Sequence, residues 1–139
     1  MDAKELMIGN LVQRTVLDDN KTITGTEVVT ICSIAIPQQF IAVDEDIKED
    51  GTIMSWAVEF VEPIPLTEEW LVKFGFENVG YFKFWGTRYF HKGIHIYFID
   101  NEFRFYYQTN RAYTIYDSIH EIQNLYFALT NTELKIKDK

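Results

Sequence analysis

Between Gly80 and Tyr116, turn-forming residues recur at nearly even intervals: Gly80, Gly86, Gly93, Asp100-Asn101 and Thr109-Asn110. The pieces between them are rich in aromatic and β-branched side chains, which suit a pleated strand better than a helix. Strand-length pieces separated by short turns form an antiparallel meander. The spacing predicts four strands, at Tyr81 to Trp85, Ile94 to Ile99, Glu102 to Gln108 and Arg111 to Tyr116. Asn tolerates the left-handed backbone of two-residue hairpins, so Asp100-Asn101 and Thr109-Asn110 are read as turns. Within the third strand, Phe103, Phe105 and Tyr107 alternate with Glu102, Arg104, Tyr106 and Gln108. One row therefore faces a core and the other presents charge beside large rings.

Helices flank this segment. In Pro63-Ile64-Pro65-Leu66-Thr67-Glu68-Glu69-Trp70-Leu71 the prolines hold extended backbone, Thr67 can cap free amides, and the two glutamates sit at the positive end of the helix. Leu66 and Leu71 have the spacing of a hydrophobic staple. Gly75 ends the helix, so it spans 67–75, with Trp70 and Phe74 on one face. After the meander, Ser118 and Glu121 form a capping-box pattern. Ile119, Ile122, Tyr126 and Leu129 then recur at helical spacing, giving an amphipathic helix over 118–130. Residues 131–139 lack a second apolar stripe and are expected to fray.

The first 62 residues read mainly as strands. Val12, Arg14 and Val16 alternate with Leu11, Gln13, Thr15 and Leu17, which describes a strand, and Asp18 to Lys21 is a turn by composition. Thr22 to Ile36 is one long bent strand or a strand pair, Phe40 to Val43 another strand, and Gly51 begins a return ending near Val61. The expected architecture is a single α+β domain over residues 1–139: a small SH3-like β half-barrel, a short helix, an antiparallel meander over 80–116 and a C-terminal amphipathic helix. A chain of 139 residues matches one ordinary core.

Charge and cysteine content narrow the function. The formal net charge is -8, the wrong sign for general capture of nucleic acid or anionic lipid. Residues 1–70 carry fourteen acidic and four basic groups, whereas residues 71–139 carry seven and nine. The cluster Asp44, Glu45, Asp46, Glu49 and Asp50 lacks calcium-loop spacing and reads as a solvated turn. Cys32, the single cysteine, excludes an intrachain disulfide and reads as a core thiol in an apolar strand. Met1 to Glu5 begins acidic with no signal-type apolar segment after it, and no run approaches the ~18 apolar residues of a membrane span. The expected location is the cytoplasm, with no membrane partner.

Three blocks are familiar together: Glu5-Leu6-Met7-Ile8-Gly9-Asn10-Leu11-Val12, the segment from Pro63 through Gly75-Phe76, and Ile119-His120-Glu121-Ile122-Gln123-Asn124-Leu125-Tyr126-Phe127-Ala128-Leu129-Thr130. In order and spacing the chain resembles a family of small uncharacterised proteins of gut Bacteroidota and of their phages and mobile elements. Where such proteins often place Gly after the final Thr, this chain has Asn131, which also suits a left-handed helix end. The resemblance implies a biological setting and no reaction.

No catalytic or metal constellation stands out. His91 and His95 lack a third ligand, and Asp117-Ser118-His120 is better explained by the helix cap than by a nucleophile and its base. Neither a catalytic residue, a metal nor another cofactor is assigned. The polar face of the meander is the candidate site: Arg104 and Tyr106 share a strand face, Tyr97 lies on a neighbouring strand, and Lys83, Arg88 and Arg111 add charge. Segment 73–111 carries six basic and three acidic groups. Tyr, Trp and Arg concentrate binding energy at protein interfaces. The sequence thus points to a small non-enzymatic interaction or accessory protein whose partner is another protein, with a second copy of this chain among the candidates. The alternative is sequestration or sensing of a small anion or nucleotide through guanidinium and ring contacts. The overall charge disfavours nucleic acid.

Overall fold

A computed structural model describes residues 1–106 and 113–137 of the chain. The fold is α+β, with two five-stranded antiparallel sheets and two α-helices. The chain divides into two compact units, Met1–Ile64 and Pro65–Lys139.

In the N-terminal unit the strands are β1 (Leu11–Leu17), β2 (Ile23–Ala35), β3 (Phe40–Val43), β4 (Trp56–Ala57) and β5 (Val61–Glu62), in sheet order β4-β3-β2-β1-β5. The segment after the first turn is one long strand. Its opening half pairs with β1 and its closing half with β3, with register shifts in both ladders. Such irregularities bend a strand and increase its twist, which curls this sheet into a half-barrel. Val12, Val29, Ile31, Ile41, Val43, Val58 and Val61 fill the core, joined by Ala3 and Leu6 from the N-terminal segment. The expected return strand is broken: a 3-10 turn, Val58–Phe60, separates β4 from β5 and leaves Phe60 60% exposed.

The acidic cluster is not uniformly solvated. Asp46 turns inward and accepts both terminal nitrogens of Arg14, at 2.8 and 2.9 Å, while Trp56 Nε1 donates to it at 2.6 Å. Arg14 also meets Glu27, its cross-strand partner, at 2.5 Å. The Arg14 bonds hold the Asp46 carboxyl below its ordinary range, against the opposing effect of burial. Glu45 accepts the Thr30 backbone N–H at 2.8 Å. Cys32 is half-buried, not a core residue, because Ile31 takes the inward position on β2. Burial and the nearby Asp44 raise the thiol pKa.

The C-terminal unit contains α1 (Glu68–Lys73), β6 (Glu77–Phe82), β7 (Gly86–His91), β8 (Ile94–Ile99), β9 (Glu102–Tyr106), β10 (Tyr113–Tyr116) and α2 (Ile119–Thr130). Its strands follow chain order across the sheet, so this is a meander. It has five strands, not four. Residues 83–85 form a turn, and Gly86, read above as a boundary, begins β7. A Cβ on Gly86 would stand 2.2 Å from the Phe98 carbonyl oxygen, so the two strands approach there only because the residue is glycine. Asp100 and Asn101 both have positive φ, 53° and 63°, as a two-residue hairpin of mirror-image type needs. The Thr109-Asn110 turn lies outside the described residues.

Thr67 Oγ1 accepts the Trp70 N–H at 3.2 Å, capping α1. The Glu121 carboxylate accepts the Ser118 N–H and the Ser118 hydroxyl at 3.0 and 2.9 Å, completing the capping box at α2. Both helices lie against one face of the meander: Tyr89 donates to Glu68, and the His91 ring stacks on Tyr126 at 5.6 Å. Phe74, Ile96, Ile119, Ile122 and Tyr126 are buried there. Leu129 is 54% exposed, since it lies roughly 100° around α2 from the centre of the buried arc. The tail does not fray over its described part. Asn131 adopts a left-handed conformation and Leu134 is buried. Lys137 N–H donates to the Lys73 carbonyl at 2.7 Å.

Candidate functional site

Antiparallel register decides which side chains share the meander's other face. Arg88 on β7 stands opposite Tyr97 on β8, which stands opposite Arg104 on β9. Tyr106 stands opposite Tyr113 on β10. Directly opposed residues project from the same side of a sheet, and this row lies on the side away from the two helices. Arg88, Tyr97, Arg104 and Tyr106 are therefore brought together. Lys83 sits in the exposed turn after β6, its ammonium 5.3 Å from the Phe84 ring, and does not join the row. Arg111 lies outside the described residues.

Two further rings belong to the site. Trp85 packs on Tyr97 at 5.5 Å and on Tyr106 at 4.9 Å, and Tyr106 meets both Tyr97 at 5.4 Å and Tyr113 at 5.2 Å. Trp85 was assigned to a strand from its sequence, yet its turn position is what lets the ring fold over the face. Tyr113 was legible only as part of the expected strand from Arg111 to Tyr116. Tilted and edge-on rings at these separations attract beyond their buried area, so the four form a connected aromatic surface.

Arg104 is held in the middle of this surface. Its guanidinium lies 4.4 Å from the Tyr113 ring, donates to the Tyr106 hydroxyl at 3.3 Å, and pairs with Glu102 at 2.8 Å and Asp100 at 3.7 Å. The Tyr106 hydrogen bond, aided by Glu102 and opposed by burial, raises its pKa further. The positive charge is permanent, locally neutralised and fixed in geometry. Arg88 differs. It stacks on Phe82 at 4.6 Å, but its Nε is buried with no hydrogen-bond partner. Close by, His95 packs on Phe90 at 4.7 Å and has a buried Nδ1 in the same condition. Burial, with the Arg88 charge second, lowers the His95 pKa and favours the neutral imidazole.

His91 pairs with Ile94, and His95 with Phe90, so the two histidines occupy opposite sheet faces and cannot share a metal. Among the described residues no group of three or more His, Cys, Asp or Glu side chains has metal-binding geometry. Ser118 Oγ lies 3.2 Å from His120 Nδ1, but both residues are buried and the hydroxyl donates to Glu121 within the helix cap. That is a structural role. No family model, curated protein or solved structure matches the chain. The functional reading rests on the site's own chemistry.

Proposed function

We propose that the protein is a small non-enzymatic interaction protein of the cytoplasm of gut Bacteroidota or their phages, and that the Trp85, Tyr97, Arg104, Tyr106 and Tyr113 face is where a protein partner docks. The observation that carries this reading is the state of Arg104. Its charge is balanced by Glu102 and Asp100 and its plane is held by Tyr106 and Tyr113, so little free valence remains for a small anion. The array instead offers rigid rings with few rotamers to freeze, the kind of surface that supplies binding energy between proteins. The test is the double variant Arg104→Glu with Tyr106→Ala, compared with the parent by sedimentation velocity and by quantitative capture of host proteins. Lost self-association or lost capture, with circular dichroism unchanged, supports the assignment. If the variant associates and captures as the parent does, this face is not the interface.

A second reading has its own observation in the unpartnered Arg88 Nε and His95 Nδ1. It takes a small anion or the phosphate of a nucleotide at these two groups. Titration of inorganic phosphate and of ATP, followed through the Arg88 and His95 side-chain resonances, tests it. Saturable shifts lost in Arg88→Gln favour it over the protein partner.

A further inference from the structure

The N-terminal unit contains a groove that the meander face does not involve. Its volume is about 500 Å³, and Arg14, Leu17, Asp46, Trp56, Glu59 and Phe60 are among its lining residues, a size typical of ligand sites. Ile41 and Val43, both buried, also contribute to its apolar lining. Trp56 and Phe60 stand edge to face, with centroids 5.9 Å apart and planes at 75°. Phe60 and Leu17 are exposed at the rim.

The lining has a definite electrostatic sign. Among the described lining residues the one cation, Arg14, is covered by Asp46 and Glu27. Glu59, exposed at the groove, adds a third carboxylate. The three carboxylates therefore exceed the one guanidinium. The surrounding unit agrees, with twelve acidic and four basic residues over 1–64. Negative potential and the faces of Trp and Phe attract cations, while an aliphatic lining accepts the methylene stem of a long basic side chain.

The strand beside the groove adds a backbone feature. β5 covers β1 only at Gln13 and Arg14, whereas β2 pairs along the full length of β1. Thr15, Val16 and Leu17 continue past the end of β5 and line the groove. An incompletely covered strand edge can accept an extended peptide, with alternate side chains entering adjacent pockets.

We propose that this groove binds an extended segment of another protein, anchored by a Lys or Arg side chain between Trp56, Phe60 and Glu59 and aligned along Thr15 to Leu17 of β1. The occupant follows from charge complementarity with the carboxylates, ring faces for the cation and apolar walls for its stem. Arg14 does not repel it, because Asp46 and Glu27 already neutralise that guanidinium.

The test titrates the full chain with a nine-residue peptide of alternating lysine and valine, followed by the Trp56 indole N–H and the Thr15 to Leu17 amides in heteronuclear NMR. The expected result is saturable shifts at those positions, weakening as salt rises. Phe60→Ala should reduce affinity about twofold to thirtyfold, and Glu59→Gln about twofold to fivefold at low salt. Both sites are exposed, and circular dichroism confirms that the fold persists. Equal binding of a peptide with norleucine in place of lysine overturns the proposal, as do shifts confined to other residues or unchanged affinity in Phe60→Ala. Binding of n-butylammonium without binding of the peptide also overturns it, because the groove would then hold a small cation and not a strand.

Discussion

Both units place arginine on one face of an antiparallel sheet, and they surround it differently. In the N-terminal unit Arg14 is gripped by two carboxylates, and the segment carries a net -8 over residues 1–64. In the C-terminal unit, with nine acidic and nine basic residues over 65–139, Arg88 and Arg104 lie on aromatic rings. Carboxylate pairing spends the cation and leaves a negative groove. Arg104 is neutralised as well, by Glu102 and Asp100, but rings hold its plane and the charges of its unit balance. The whole-chain charge of -8 is therefore carried entirely by the N-terminal unit, and the two units present surfaces of different chemistry.

The largest expected effect tests whether ring burial divides the molecule as this contrast requires. Phe74, at the end of α1, is 1% exposed, whereas Phe60 is 60% exposed. Phe74→Ala should cost about 3 to 5 kcal/mol in urea unfolding, the range for emptying a packed aromatic site. Phe60→Ala should stay within about 0.5 kcal/mol. Similar losses at both positions would remove the distinction between a sealing ring and a displayed one.

The next effect compares the two kinds of arginine support. Asp46→Asn strips Arg14 of its two-pronged partner in a half-buried setting and should cost about 1.5 to 3 kcal/mol. Glu102→Gln should cost less than about 1 kcal/mol, because Arg104 keeps Tyr106, Tyr113 and Asp100. Acid sharpens the difference. The folded-state pKa of Asp46 lies below its unfolded value, so its stabilisation is fully present above about pH 4 and is lost as pH falls through the folded pKa. Asp46→Asn should flatten that acid limb. Equal costs for the two variants would show that the rings and Asp100 together do not make up for Glu102.

The parts legible in the sequence were those set by near neighbours. Thr67 and Ser118 cap helices through residues three positions away, and Asp100-Asn101 closes a hairpin whose strands then place Arg104 opposite Tyr97. Phe40–Val43 forms the strand its apolar run implied. What escaped depends on distant partners. Asp46 looked like one more solvated acid until Arg14, 32 positions earlier in the chain, was placed against it. Gly86 read as a break because the carbonyl that excludes its Cβ belongs to Phe98. Trp85 joins the candidate face only after three strands are in register, and Leu134 anchors the tail in a core that the tail's own composition does not reveal.

Ser118→Ala separates a capping residue from a catalytic one within the C-terminal unit. The loss should be about 0.5 to 2 kcal/mol, and a serine-directed phosphonate should leave Ser118 unlabelled. Stoichiometric labelling would turn the Ser118 and His120 pair into a chemical site and end the description of this unit as a binding surface.

The smallest effect concerns Arg88, which stacks on the Phe82 ring and has no ion pair among the described residues. His95 is half-buried beside Arg88, and burial together with that charge lowers its folded pKa below the ordinary value of about 6.5. The neutral ring is therefore favoured in the folded chain. Its contribution to stability is complete above about pH 6.5 and declines as pH falls toward the folded pKa, since the unfolded chain binds the proton first. His91, on the other sheet face, is lowered by burial and then by Lys92, so it adds a decline of the same sign. His95→Gln and His91→Gln, studied separately, divide the two. The His95 Cε1 proton should titrate with a midpoint below 6.5, and His95→Gln should remove part of the stability drift between about pH 6.5 and 5. In Arg88→Gln the midpoint should move up, because the repelling charge is gone while the burial remains. An unchanged midpoint would mean that Arg88 does not act on this imidazole, and the two unpartnered nitrogens would then have to be treated as independent groups.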